Sequence, residues 1–539
     1  MFEPMAVHRP LRRGVLTGPT IVALLAGLGF VLIALSMHAP TRVSNDGIQY
    51  LEGARMLVQG QGFSTDILVY DPNFAAGTLP TSQTTFPPGY PAAVAVLLAC
   101  GIAPTLSGVL VSLLGALTTA FLVGRALGGW LGTAAAVLLL FNLHGAVLTA
   151  VVASDVVFTA LTTATLVRLA AGLGEVPNRS ALWQGGGLAA AAFSCRFAGA
   201  FVVLGVGLFF AVRWLRRRTT ARFIDGVAAV LPAALLMGAL FARNVTLSGD
   251  LDGGALDLSL RAWSQVWTDF LWGTATLFGI ASPEGPAFVP ELVFISAAGV
   301  VFLVHARRAG AALMRGLTAC AHDPLVTLSV VLIVVYLAAL LFLSHTRNSI
   351  VLLPRYLLPI LPPVVLIAGR VLGALSTAGV LPGRSASAIA ASGAVGLLVG
   401  GWSYWPEVRQ TYLEGNPAQR ADAALDALGP DGRSMRAALE ANVSPDAPLL
   451  AEPGHALGYV LRHPTLGPIG PAYSARAWDE TEVHAATARY GVDWALHVRG
   501  LAPPAHTPRF WAEVERSGPP DWMTPVFTAG GAVLYRITR

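Results

Sequence analysis

Ten stretches of this chain, at 17–37, 104–124, 128–143, 153–170, 183–212, 223–242, 288–306, 325–344, 350–369 and 385–404, are predominantly apolar over about the length that a membrane crossing demands. A hydrocarbon core of about 30 Å takes roughly 20 residues of helix, so a chain with this pattern folds across a bilayer rather than around one aqueous core. The 183–212 stretch is long enough for two short spans meeting at Arg196, which brings the expected crossings to about eleven. Residues 89–102 are apolar but too short to cross, and with Pro88, Pro91 and Pro104 around them they are expected to lie in or on the membrane. Segment 17–37 follows Arg9, Arg12 and Arg13 like a signal peptide, but it lacks a small-residue cleavage site and reads as a retained first span. Composition agrees: only 12% of residues are charged, against about 25% in soluble domains. A soluble fold and a disordered chain are both excluded, and a net charge of +5, carried entirely by scattered Arg, does not announce a nucleic-acid partner. Cys100, Cys195 and Cys320 have no metal-ligand spacing and read as buried small apolar residues.

Arginine sets the orientation. The cluster at Arg9, Arg12 and Arg13, that at Arg213, Arg216, Arg217, Arg218 and Arg222, and that at Arg307, Arg308 and Arg315 belong inside. Residues 38–103, 145–153, 243–287 and 345–350 then face outside, as does everything beyond Trp405. There the apolar runs stop and charges recur. Helix-like stretches at 417–428, 432–441, 479–489 and 508–516 alternate with strand-like runs at 448–451, 493–498 and 524–537. The expected fold class is therefore an α-helical polytopic membrane domain over 1–404, with a first outer loop at 38–103, followed by a small soluble α/β domain over 405–539.

The first outer loop carries candidate chemistry. Ile48, Leu51, Met56 and Leu57 interleave with Gln49, Glu52 and Arg55, describing an amphipathic helix along the membrane surface with Asp46 at its start. Asp46 has two readings there: a helix cap, or an acid presented at the outer face. Downstream, Pro87, Pro88, Gly89, Tyr90 and Pro91 fix a turn where the chain re-enters the bilayer. Asp155 opens a span at its outer end behind Ser154, Arg196 interrupts some 30 apolar residues, Arg243 follows a span, and Arg347 and Arg355 flank another on the outside, against the usual inside bias of Arg.

Taken in order, Asp46 with Tyr50, Gly60-Gln61-Gly62-Phe63, Phe86 to Pro91, Ser154-Asp155, Arg196, Arg243-Asn244 and Arg355-Tyr356-Leu357-Leu358-Pro359 resemble the polytopic GT-C glycosyltransferases, especially the aminoarabinose transferases and protein O-mannosyltransferases. The resemblance covers residues 1 to about 404 and implies a GT-C-like membrane fold in a bacterial cytoplasmic membrane. It also implies a sugar donor carried on a polyprenyl phosphate in the outer leaflet, a hydroxyl acceptor on a glycan, lipid or protein, and inverting transfer. Asp46 would act as general base with Asp155 beside it. Arg196, Arg355, Arg243 and Arg347 would hold the donor phosphate, for which the planar guanidinium fork is suited. Tyr50, Pro87, Pro88, Gly89 and Tyr90 would position the loop. Asn45 and Gly47 flank Asp46 where the family sometimes has a second acid, so no cofactor is assigned and a divalent metal stays open.

Other residues read as background: Glu52, Arg55, Asp66, Asp71, Asp250 and Asp252 as solvated loop positions, His345 as an interfacial histidine, and Trp263, Trp267 and Trp272 as an aromatic belt. Two other functions compete: a transporter or lipid flippase, for which charges at mid-bilayer and repeated halves are expected, and a non-catalytic envelope-assembly protein.

Overall fold

The computed structural model describes residues 17–38, 43–69, 77–174, 176–251, 260–278, 310–347, 351–403, 405–409, 432–468, 478–500 and 507–538. The expected span 288–306, the helix-like stretch 417–428, the N-terminal arginines, Arg307, Arg308, Asp71 and Asp252 lie outside them.

The membrane part comprises α1 (Gly18–Met37), α2 (Asn45–Val58), α3 (Gly89–Ala99), α4 (Pro104–Leu127), α5 (Gly129–Phe141), α6 (Leu143–Ala150), α7 (Asp155–Gly172), α8 (Arg179–Cys195), α9 (Gly199–Leu215), α10 (Thr220–Ser248), α11 (Trp263–Leu277), α12 (Gly310–His322), α13 (Pro324–Thr346), α14 (Leu361–Thr377) and α15 (Gly383–Ser403). Among the described residues six helices are long and apolar enough to cross a membrane, and the pair α5–α6, bent by 56°, makes a seventh if it is one span. This is a multi-pass membrane protein. Of the other expected crossings, 288–306 lies outside the described residues, and α8 and α9, with 17 residues each, stand at the lower end of the length that spans hydrocarbon. Helix α3, with 11 residues, is too short to cross.

Helix α7 sits at the centre, packed against α4, α8 and α13, in a core that includes Phe158, Leu166, Val206, Tyr336 and Leu366. The apolar stretch 183–212 divides at Arg196, whose backbone is extended between α8 and α9. Gly199 allows the tight return that follows, because a Cβ there would stand 2.4 Å from the Phe193 Cα.

The tail carries α16 (Gly432–Asn442), α17 (Gly454–Leu461), α18 (Glu480–Tyr490) and α19 (Arg509–Ser517) around a sheet. Its strands are β4 (Leu449–Glu452), β5 (Thr465–Leu466), β6 (Trp494–Val498), β7 (Met523–Ala529) and β8 (Ala532–Ile537), the expected 524–537 run being a β7–β8 hairpin. The first loop adds three two-residue strands, β1 (Ser64–Thr65), β2 (Ile67–Leu68) and β3 (Thr81–Ser82), with β1 and β3 pairing antiparallel. Strand β2 leaves its own loop and joins the tail, giving the order β2-β5-β4-β6-β8-β7. It runs parallel to β5, Ile67 opposite Thr465, with Thr465 N–H donating to the Asp66 carbonyl at 2.7 Å and Gly467 N–H to that of Leu68 at 3.0 Å.

That crossover corrects the reading of α2. The helix does not lie open on a membrane surface: Ile48, Gln49, Tyr50, Leu51, Glu52, Gly53 and Ala54 are all buried, and α17 of the tail packs on it. Its apolar residues share a core with Tyr90, Val94, Val152 and, from the tail, Tyr459. Glu52, expected in solvent, is 4% exposed and takes Arg55 Nε and Nη2 on its two oxygens, while Arg55 also pairs with Asp66. Cys100, expected to be buried, is exposed, whereas Cys195 and Cys320 are buried.

Candidate active site

Asp46 is in the first turn of α2, but it is not the cap. Ser44 holds that position, its hydroxyl accepting from the Gly47 N–H at 3.3 Å. With the backbone already satisfied, the Asp46 carboxylate turns to Arg355, which donates to it at 2.5 Å. Arg355 stands in the turn Pro354–Leu357, one break before α14, and its Nε lies 3.8 Å from Asp155. Asp155, 2% exposed at the start of α7, pairs in turn with Arg196 at 2.7 Å. Two acids and two arginines from α2, α7, the α8–α9 break and the turn before α14 thus form one chain, Asp46–Arg355–Asp155–Arg196. Both arginines also lie over the Tyr356 ring, at 5.1 and 5.6 Å from its centroid.

An unpaired charge this deep would be expensive, so the alternation of sign is what lets four ionised groups share the space. Burial pushes the Asp46 carboxyl up; the guanidiniums of Arg355 and Arg196 outweigh it and hold the group below the ordinary carboxylate range. His455, from the tail, contributes in the same direction. That histidine sits on α17, buried, and is itself pushed down to about 3 by desolvation. No sequence signal ties His455 to Asp46; only the β2–β5 pairing and the packing of α17 on α2 bring them within electrostatic reach.

The loop residues act by packing. Tyr50 hydrogen-bonds the Ser154 hydroxyl at 2.8 Å, and its ring meets Phe86 and Tyr90 edge-on at 5.1 and 5.0 Å. Tyr90 in turn donates to the Gly108 carbonyl at 3.0 Å. Pro87 is buried, Pro88 precedes α3, and Gly89 begins it against Ser194, where a Cβ would stand 2.6 Å from the Ser194 carbonyl oxygen. This close approach ties the Pro-Pro-Gly turn to the end of α8, two residues before Arg196.

Among the described residues, Arg243 and Arg347 stand outside the four-residue chain. Arg243 donates to the carbonyls of Gln83 at 2.9 Å and Phe63 at 3.3 Å, fastening the first loop. Arg347 follows α13 as its C-cap. His345 stacks on Trp263 at 4.2 Å and bonds the Arg261 carbonyl, so both are built into the junction between the start of α11 and the end of α13. No group of three or more His, Cys, Asp or Glu side chains with metal-holding geometry occurs among the described residues.

No family model and no curated protein matches the sequence. Solved structures do. ArnT of Cupriavidus metallidurans, bound to undecaprenyl phosphate, aligns with a TM-score of 0.57 and 14% identity over 97% of this chain and 98% of that one. Its apo state gives 0.56 and 14% identity over 96% and 98%. The oligosaccharyltransferase of Archaeoglobus fulgidus, in its apo form, gives 0.50 and 13% identity over 89% of this chain and 69% of that one. The chain therefore shares the fold of these proteins, from the membrane helices through the tail.

Proposed function

We propose that this chain, on the fold it shares with ArnT, is a membrane glycosyltransferase that moves a sugar from a polyprenyl-phosphate donor to a hydroxyl acceptor. The carrying observation is the chain Asp46–Arg355–Asp155–Arg196, which supplies a base and a phosphate clamp side by side. Transfer to a hydroxyl needs a carboxylate to take the acceptor proton and positive charge to stabilise the departing phosphate. Asp46 accepts the proton, the acceptor oxygen bonds the anomeric carbon, and the bond from that carbon to the phosphate oxygen breaks. The electron pair leaves with polyprenyl phosphate, held by Arg355 and Arg196. One such displacement inverts the anomeric centre.

In the free protein both arginines are neutralised by the two acids. A donor phosphate arriving at Arg355 competes with Asp46 for the guanidinium and releases the carboxylate toward the acceptor. Asp155 positions Arg196 and Arg355. Tyr50, Pro87, Pro88, Gly89 and Tyr90 hold the loop that presents Asp46. Arg243 and Arg347 are assigned to outer-face structure, with the phosphate left to Arg196 and Arg355.

The division at 404/405 into a membrane domain and an outer α/β domain belongs to the same reading, as do the cytoplasmic N-terminus and a bacterial cytoplasmic membrane. The ArnT relative is bound to undecaprenyl phosphate, which supports the donor class. A transporter would be expected to carry charges at mid-bilayer on repeated halves; here the carboxylates sit at the outer starts of α2 and α7. The test is the lipid-linked sugar pool of cells lacking the protein. One polyprenyl-phosphate sugar should accumulate and be cleared by the wild-type chain but not by Asp46→Asn, whereas an unchanged pool would overturn the proposal.

A further inference from the structure

The turn between α9 and α10 gathers positive charge that the rest of the fold leaves uncompensated. Arg213, Arg216, Arg217, Arg218 and Arg222 fall in one short stretch of chain. The turn is tight: the Arg218 N–H donates to the Trp214 carbonyl at 2.6 Å, with Arg218 itself at φ 40°. Arg222 Nη1 then reaches back to the Arg213 carbonyl at 3.1 Å, so Arg213 has both Arg217 and Arg222 within electrostatic reach. Like charges brought this close repel. Asp225 also reaches Arg213, but it is buried and already paired with Arg179 at 3.3 Å. Arg216, Arg217 and Arg218 are exposed and make no ion pair among the described residues. Arg213 Nε is buried with no hydrogen-bond partner, a donor whose lost hydration nothing in the protein repays. An anion seated among Arg213, Arg217 and Arg222 would relieve the repulsion and satisfy that donor together, and a phosphate fits the planar guanidinium fork.

The neighbouring surface decides which phosphate. Leu204, Leu208, Val212 and Leu215 are exposed and follow one another at helical spacing, forming an apolar stripe along α9 that ends at the arginines. Phe223 and Ile224, just beyond Arg222, are exposed as well, and the Phe223 ring lies 5.9 Å from that of Trp214. In a multi-pass membrane protein such a stripe faces hydrocarbon, and Trp beside it marks the level of the headgroups. A ligand with a phosphate at the turn and acyl chains along α9 meets both surfaces. A free phosphate meets only one.

We infer that the α9–α10 turn is a binding site for the headgroup of an anionic phospholipid, held by Arg213, Arg217 and Arg222. The site lies apart from the Asp46–Arg355–Asp155–Arg196 chain, and its test needs no turnover. The full chain in detergent is titrated with phosphatidylglycerol, with phosphatidylcholine and with glycerol phosphate, bound lipid being counted by native mass spectrometry. Phosphatidylglycerol should bind at least tenfold more tightly than phosphatidylcholine, and glycerol phosphate should not displace it at equal concentration. Arg213→Gln and Arg217→Gln should each weaken phosphatidylglycerol about fivefold, the worth of one arginine near an anionic lipid surface, and leave phosphatidylcholine unchanged. Arg217 makes no side-chain contact that folding would miss, so its variant decides the matter if Arg213→Gln melts early. Arg125→Gln removes the same charge from the exposed end of α4 and should leave phosphatidylglycerol binding as it was. Equal affinity for the two lipids, or equal losses in Arg125→Gln and Arg217→Gln, would overturn the inference, the second by showing diffuse attraction. Displacement by glycerol phosphate at equal concentration would overturn it too, making the turn a site for free phosphate.

Discussion

Arg355 donates to Asp46 across 309 residues of chain, at 2.5 Å. The contact fixes the ionisation of Asp46 as well as its place, because burial alone would raise the carboxyl and Arg355 is the largest influence holding it down. Removing Arg355 should therefore have two separable effects.

Arg355→Ala should raise the apparent KM for the lipid-linked donor about tenfold or more, the loss expected for a charge-assisted hydrogen bond of about 1.5–3 kcal/mol. It should also move the acid limb of the kcat/KM–pH profile to higher pH. A base works ionised, so activity falls as pH drops through its pKa, and a raised pKa brings that fall on earlier. Arg355→Lys keeps the charge and should restore the limb more fully than the KM, since an ammonium lacks the planar fork. A KM change with an unmoved limb would show that Arg355 does not tune Asp46.

Glu52 provides a stability prediction with a definite sign. Burial and Asp66 push it up to about 8 from an ordinary value of 4.5. Below pH 4.5 the side chain is protonated in both folded and unfolded states. Between there and pH 8 only the folded state keeps the proton, so stability falls as pH rises through that window and is flat beyond it. Glu52→Gln mimics the protonated form and should flatten this slope in thermal melts. A slope unchanged in the variant would mean that Arg55 keeps Glu52 ionised.

The membrane helices and the acids and arginines at their ends were legible because hydrocarbon forces a long apolar run and makes each interrupting charge conspicuous. Arg196 stands out within 183–212 for that reason, and so does Arg355 at the start of the apolar run 350–369. The burial of α2 was not legible. Ile48, Leu51 and Met56 alternating with Gln49, Glu52 and Arg55 look like a helix with one wet face, and nothing local says that a tail some 400 residues away will cover it. Strand β2, two residues long, has no periodicity to detect, and His455 acquires meaning only once β2 has joined β5. Asp46 as a cap was a fair reading of a local pattern; Ser44 takes that role two residues earlier.

Orientation can be tested directly. With the arginine clusters inside, a reporter that fluoresces only in the cytoplasm should be silent when fused after Arg539, and one active only outside should work there. A cytoplasmic signal would reverse the topology and remove the outer-leaflet donor from the proposal.

The tail should be needed for activity through its grip on the first loop, and Gly454 is the point at which to test it. A Cβ there would stand 2.5 Å from the Gly467 Cα and 3.5 Å from Val69 Cγ2. The closest neighbour is backbone, so Gly454→Val can be accommodated only by moving α17 away from β5 and from the β2 end of the first loop. Overpacking of this kind costs about 1–3 kcal/mol, enough to loosen a two-residue strand held by the Thr465–Asp66 and Gly467–Leu68 hydrogen bonds. The membrane helices do not depend on that contact, so the variant should insert normally while transfer drops at least tenfold. His455 moves with α17, and its neighbour Ala456, buried beside β4 and β6, offers a comparison: Ala456→Val should strain the tail core without separating it from β2. Loss in Gly454→Val with substantial activity in Ala456→Val locates the requirement at the junction with the first loop. Equal loss in both would show that the tail matters only through its own fold, and full activity in Gly454→Val would show that the Asp46 site does not need it.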